Sequence, residues 1–174
     1  MGTKLTYALA LAGSGAVFRL LLYFTGFETE KLSVGQHLNW LMLPVSIAIL
    51  WFGIKAVREE RPHGAISYGQ AVGAGTLISL ISSVFSAIYT FIHLKFINTS
   101  FVDYQMEVIR GKWAEAGLGD AQMEQAEAMT RAMMSPGLSA GMAIVMGVIF
   151  GVILSLVIAA FLKKPLPAGA EPPL

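Results

Sequence analysis

Arg19 is the only formal charge well inside any of the long apolar runs of this chain. A guanidinium there demands a polar partner, because an unpaired charge in hydrocarbon costs about 2.5–3.5 kcal/mol at mid-helix on insertion scales. It stands about 12 Å of helix rise inside the end of its run. One outcome is outward snorkelling, or pairing with backbone carbonyls or an acid of the polar stretch at about 98–135. The other is an inward arginine, facing hydroxyls such as Ser79, Ser83 and Ser86 and able to bind an anionic group or a lipid headgroup. Arg19→Leu is then expected to be tolerated in folding.

The remaining chemistry-bearing residues form no recognisable reactive set. His37 and His93 fall near apolar–polar boundaries at matching depth and, with Glu28 or another acid, suit a metal ion in type; nothing in their spacing requires one. His63 lies in a short polar loop. The chain has no cysteine, which excludes disulfides, thiolate metal sites and cysteine nucleophiles. Phosphate-loop, Ser-His-acid, HExxH and dinucleotide fingerprints are missing too. No catalytic residue, metal or cofactor is therefore expected, and the protein is expected not to be an enzyme.

Small residues make the clearest pattern. Gly147, Gly151, Ser155 and Ala159 recur every four residues, as do Gly75, Ser79, Ser83 and Ala87, while Gly69 and Gly73 form a separate GxxxG. Such ridges let helix backbones approach closely where lipid removes the hydrophobic drive between helices. They predict packing between the two segments that carry them, or docking of a second copy or partner.

The elements that must position these residues follow from composition. Of 174 residues, 55% are hydrophobic and 13% charged, with a mean hydropathy of +0.65. A soluble domain carries about a quarter charged residues. The apolar residues come in four blocks, about 5–27, 38–57, 67–94 and 137–162, each long enough to cross about 30 Å of hydrocarbon as a helix. The fold class is an all-α membrane protein forming a single membrane domain. Lys4, Lys55, Arg58, Arg61, Lys163 and Lys164 would share one side, which places both termini and a short tail, 163–174, in the cytoplasm. A net charge of +1 and the lack of a basic patch argue against a nucleic-acid partner.

The polar stretch from about 98 to 135 would then be an extracytoplasmic insert. It splits into two amphipathic helices. Ser100 and Asp103 resemble a capping box, Gly117 suits a C-terminal cap, and Asp120 suits an N-cap. Met123, Ala126, Thr130 and Met133 line one side of the second helix, with Glu127 and Arg131 opposite. The apolar side is expected to rest on the membrane surface or on the ends of the third and fourth helices, or else to cover a partner or substrate.

The run ISYGQA (Ile66 to Ala71), the FIN at Phe96 to Asn98 with Phe101 after it, GLGDAQMEQA (Gly117 to Ala126) and Ser135-Pro136 resemble a bacterial family of small four-span membrane proteins, the domain of unknown function 4199. The resemblance covers nearly the whole chain. It implies a bacterial inner-membrane location and supplies no activity, substrate or catalytic residue. The expected function is that of a non-enzymatic oligomer or accessory subunit of a larger membrane complex, in contact with membrane lipids. The alternative is a small transporter or channel-like unit for a polar or anionic solute.

Overall fold

The structure, a computed structural model, describes residues 2–165, so most of the expected tail at 163–174 lies outside the described residues. The chain is all-helical, in the order α1 (Thr3–Phe24), α2 (Leu32–Leu38), α3 (Met42–Glu59), α4 (Tyr68–Ile92), α5 (Phe101–Glu115), α6 (Asp120–Met133) and α7 (Pro136–Leu162). Four helical stretches are long and apolar enough to cross a membrane: Thr3–Phe24, Leu32–Glu59, Tyr68–Ile97 and Pro136–Leu162. The protein is thus a multi-pass membrane protein in composition and length. The second stretch begins at Leu32, earlier than the sequence suggests. Pro44 explains the irregularity inside it: without an N–H it cannot bond the Trp40 carbonyl, and the backbone tightens into a 3-10 turn at Asn39–Leu41 just before.

Two compact units divide the chain. Among the described residues, the first comprises 2–14, 43–85 and 144–165. Ala8, Leu50, Ile54, Ile66, Ala71, Ile78, Ile158, Ala159 and Leu162 form its core. Within it the small-residue ridges interlock. A Cβ on Gly151 would strike Ser79, one on Gly147 would strike Ser83, and one on Gly75 would strike Ser155 and come within 2.8 Å of Ile54. As the residue number falls by four on α4 it rises by four on α7, so the two helices run antiparallel in one seam. Ser83 Oγ and Ser155 Oγ donate back to the carbonyls of Ser79 and Gly151, at 2.7 and 2.6 Å, which satisfies two hydroxyls in an apolar setting. Gly69 and Gly73 do not join the seam: both are exposed, and a Cβ there meets nothing within 4 Å. Backbone bonds of 2.9 Å in each direction join Ile66 to Lys164 and tie the end of α7 to the start of α4.

The second unit comprises residues 15–42 and 86–143. It contains α2 and the α5–α6 hairpin. A Schellman motif ends α5: Gly117, at φ +78°, lets Leu118 N–H reach the Trp113 carbonyl at 3.1 Å, while its own N–H bonds Ala114 at 3.0 Å. The expected caps differ in detail. Ser100 sits at the N-cap of α5 without a side-chain cap bond, so no capping box forms. Gly119, not Asp120, is the N-cap of α6, and its N–H donates to Gln122 Oε1 at 3.3 Å.

The side of α6 expected to turn inward is half-buried at Met123, Ala126 and Thr130, while Met133 departs from it and Glu127 turns inward as well. Met133 is 59% exposed and Met129 68%, whereas the Glu127 side chain is only 15% exposed. Charge pairing decides this. Arg110 Nε donates to Glu127 Oε2 at 2.7 Å, and Arg131 bridges Glu127 and Asp103, each at 2.7 Å. Those bonds hold Glu127 below the ordinary carboxylate range, through Arg131 first and Arg110 second.

Candidate functional site

Arg19 belongs to the second unit, and its partner is none of the groups expected from sequence. α1 ends at Phe24, three residues before the apolar run does, so Arg19 stands only about 7.5 Å of helix rise from the helix end. There Gly26, at φ +81°, closes a second Schellman motif: Gly26 N–H bonds Tyr23 at 3.1 Å and Phe27 N–H bonds Leu22 at 2.8 Å. The chain doubles back, and Glu28 N–H also bonds the Leu22 carbonyl, at 3.2 Å. Gly35 of α2 lies so close to the Phe27 carbonyl that no Cβ fits between them, which pins the turn from its other side. Glu28 is thereby carried inward beside Arg19.

The resulting cluster is buried and continuous. Arg19 Nε donates to Glu28 Oε1 at 2.6 Å. His93 Nε2 lies 2.7 Å from Glu28 Oε2, and His93 Nδ1 lies 3.0 Å from the Tyr89 hydroxyl. His93 is 0% exposed, Asn98 2% and Glu28 6%. A π turn at His93–Ile97 makes the last connection. Asn98 N–H bonds the His93 carbonyl at 2.7 Å, which brings both side chains to the same acid, and Asn98 Nδ2 donates to the Glu28 carbonyl at 3.1 Å. The Tyr23 ring meets His93 edge-on, with centroids 5.8 Å apart, and the Arg19 guanidinium stands 5.4 Å from the Phe101 centroid.

Burial pushes the Glu28 carboxyl up, but the His93 hydrogen bond and the charge and hydrogen bond of Arg19 together outweigh it, leaving the group below its ordinary range. Glu28 is therefore ionised and acts as acceptor on both oxygens. Two protonation states of His93 fit the same heavy-atom positions. With a neutral ring, Nε2–H donates to Glu28 and Nδ1 accepts from Tyr89; with an imidazolium, both nitrogens donate and the Tyr89 oxygen accepts.

The sequence signals for this site were partial. Arg19 stood out by type. Glu28 is marked there only by its fitness, in type, for a metal ion; the pointer to its role is Gly26, a C-terminal cap that folds the next acid back. Removing Arg19 would leave a buried carboxylate short of a partner, so the geometry changes the expectation for Arg19→Leu from tolerated to destabilising. His37 is exposed, and no group of three His, Asp or Glu side chains able to hold a metal forms among the described residues. Two of the serines named as partners for Arg19 do other work: Ser79 and Ser83 lie in the α4–α7 seam.

Fold and site together define a multi-pass helical membrane protein with an Arg–Glu–His–Tyr cluster in which Glu28 and His93 are buried and Arg19 and Tyr89 half-buried. The chain belongs to the family described as Protein of unknown function (DUF4199), which matches residues 6–164. No curated protein and no solved structure matches the chain.

Proposed function

We propose that this protein is a small, non-enzymatic transporter-like unit of the bacterial cytoplasmic membrane, which binds and releases a proton at the Tyr89–His93–Glu28 chain as it handles a polar or anionic solute. One observation carries the reading: a buried imidazole sits between an ionised carboxylate and a phenol, in positions that satisfy it with or without the added proton. Ionisable groups kept inside a membrane segment are costly, which makes a working role the default explanation. The distribution of Lys4, Lys55, Arg58, Arg61, Lys163 and Lys164 supports cytoplasmic termini with α5 and α6 outside. A reporter fused at Leu118 should be active only outside the cytoplasm.

Proteoliposomes loaded with a pH-sensitive dye test the transport reading. Under a gradient of inorganic phosphate, sulfate or a short carboxylate, wild-type vesicles should change internal pH faster than empty ones. His93→Gln should return the rate to that of empty vesicles. Identical traces with and without protein under all three gradients would defeat it.

A second reading, an oligomer or accessory subunit, draws support from Gly69 and Gly73, which leave an exposed small-residue face on α4 while the other ridges are consumed inside the chain. Native mass spectrometry that finds only monomers, in wild type and Gly73→Leu alike, would count against it.

A further inference from the structure

The geometry of Arg19 points to a binding site that the cluster itself does not use. A guanidinium carries five N–H donors in a rigid planar fork. Arg19 gives its Nε–H to Glu28, and no group among the described residues accepts from its two terminal amino groups. Its side chain is 22% exposed, and its terminal nitrogens are not among the buried, unpartnered atoms of the described residues. We infer that the terminal amino groups of Arg19 bind a phosphate-type oxyanion, carried by a free anion or by a phospholipid headgroup.

The fork is already oriented for that task. Glu28 fixes its Nε edge, and the ring of Phe101 stands 5.4 Å from its carbon. Both contacts hold the plane, so little rotamer freedom remains to be lost when a ligand binds. Two parallel N–H bonds from one guanidinium match two oxygens of a phosphate, which makes the pair bidentate and charge-assisted. Glu28 does not cancel the site, because its other oxygen is bonded to His93 at 2.7 Å and its charge is shared between two partners. A cation would be repelled, and a neutral ligand would forgo the charge assistance. The depth suits either source: about 7.5 Å inside the end of α1, within reach of water and of the headgroup layer.

The inference deepens the transport reading by naming a solute chemistry, and it rests on that reading for its purpose, though not for the binding itself. The test uses the whole protein in nanodiscs. In discs of phosphatidylcholine, inorganic phosphate titrated by calorimetry should bind saturably, and Arg19→Gln should weaken it about 10- to 100-fold, the worth of charge-assisted hydrogen bonds. Should Arg19→Gln fail to fold, Arg19→Lys decides, since it keeps the charge and lacks the fork; it should also weaken binding. In discs containing phosphatidylglycerol, native mass spectrometry should show whether wild type retains that lipid and the variant loses it. Phosphate binding in the first arm assigns a free anion, and lipid retention without phosphate binding assigns a headgroup. No Arg19-dependent binding in either arm, or equal binding by wild type and variant, overturns the inference. Solute-driven proton movement that persists without an oxyanion on Arg19 would remove this inference alone. An oxyanion bound with no proton movement would remove the transport reading and leave the site standing.

Discussion

The seam between α4 and α7 and the cluster around Glu28 solve the same problem by opposite means. In the seam, glycine and serine remove bulk until two backbones touch, and the two bonded hydroxyls turn back on their own helix. Stability there comes from shape. In the cluster, charges are brought inside and each is answered by a partner drawn from a turn or another helix. Energy there depends on completeness, because losing one member strands the others. A surface built by shape tolerates polar silence; one built by charge tolerates no missing partner.

The largest expected effect follows from that difference. Glu28→Leu leaves Arg19 and His93 facing an apolar group, and breaking a buried pair in this way costs about 3–5 kcal/mol. Combining it with Arg19→Leu should recover part of the loss, because a pair removed together strands fewer charges. Thermal unfolding in detergent checks both, and a double variant no better than Glu28→Leu would show that the pairing is not what stabilises the site.

In the seam, Gly151→Leu should cost about 1–3 kcal/mol through overpacking against Ser79. Ile149→Leu, at a side chain 47% exposed, should be near neutral. Equal melting temperatures for these two variants would remove the shape argument.

Acid should separate the regions more gently. Glu28 titrates below its ordinary range in the folded protein, so its contribution is complete above the unfolded value, about 4.3, and fades as pH falls through the lower folded one. The stability advantage of wild type over Glu28→Gln should shrink on acidification below that value. The difference between wild type and Gly151→Leu should not follow the same curve. An advantage that instead grows in acid would reverse the assigned sign.

The smallest effect belongs to the hairpin. Glu127→Ala removes the acid that joins Arg110 to Arg131, on a surface where ion pairs are screened. Global unfolding should barely move, while trypsin cleavage after Arg110 should quicken. Unchanged cleavage would mean that apolar contacts, and not the charges, close α5 on α6.

The hairpin also shows where pattern reading failed. Helical spacing placed the methionines of α6 and its charges on separate sides, and that much was legible in the sequence. The half-buried Met123, Ala126 and Thr130 follow that pattern, but the inward turn of Glu127 and the exposure of Met133 were not legible, because Arg110, which bonds Glu127, lies on another helix. Gly117 as a cap was legible, since a left-handed residue after an amphipathic helix favours glycine. The N-cap was missed by one residue.

Composition, run length and the four-residue ridges determined by themselves that this is a multi-pass helical protein and which faces of α4 and α7 can touch, because helix period and lipid thickness are local constraints. The same logic could not tell Gly75, which is used, from Gly69 and Gly73, which are not, since a free and a filled ridge have the same spacing. Only the tertiary structure decided what answers Arg19. That choice needed a left-handed Gly26, the closeness of Gly35 to Phe27 and a π turn after Ile92, three backbone events that bring residues 19, 28, 89, 93 and 98 together. A charge in an apolar run announces that it must have a partner; where the chain turns determines which one.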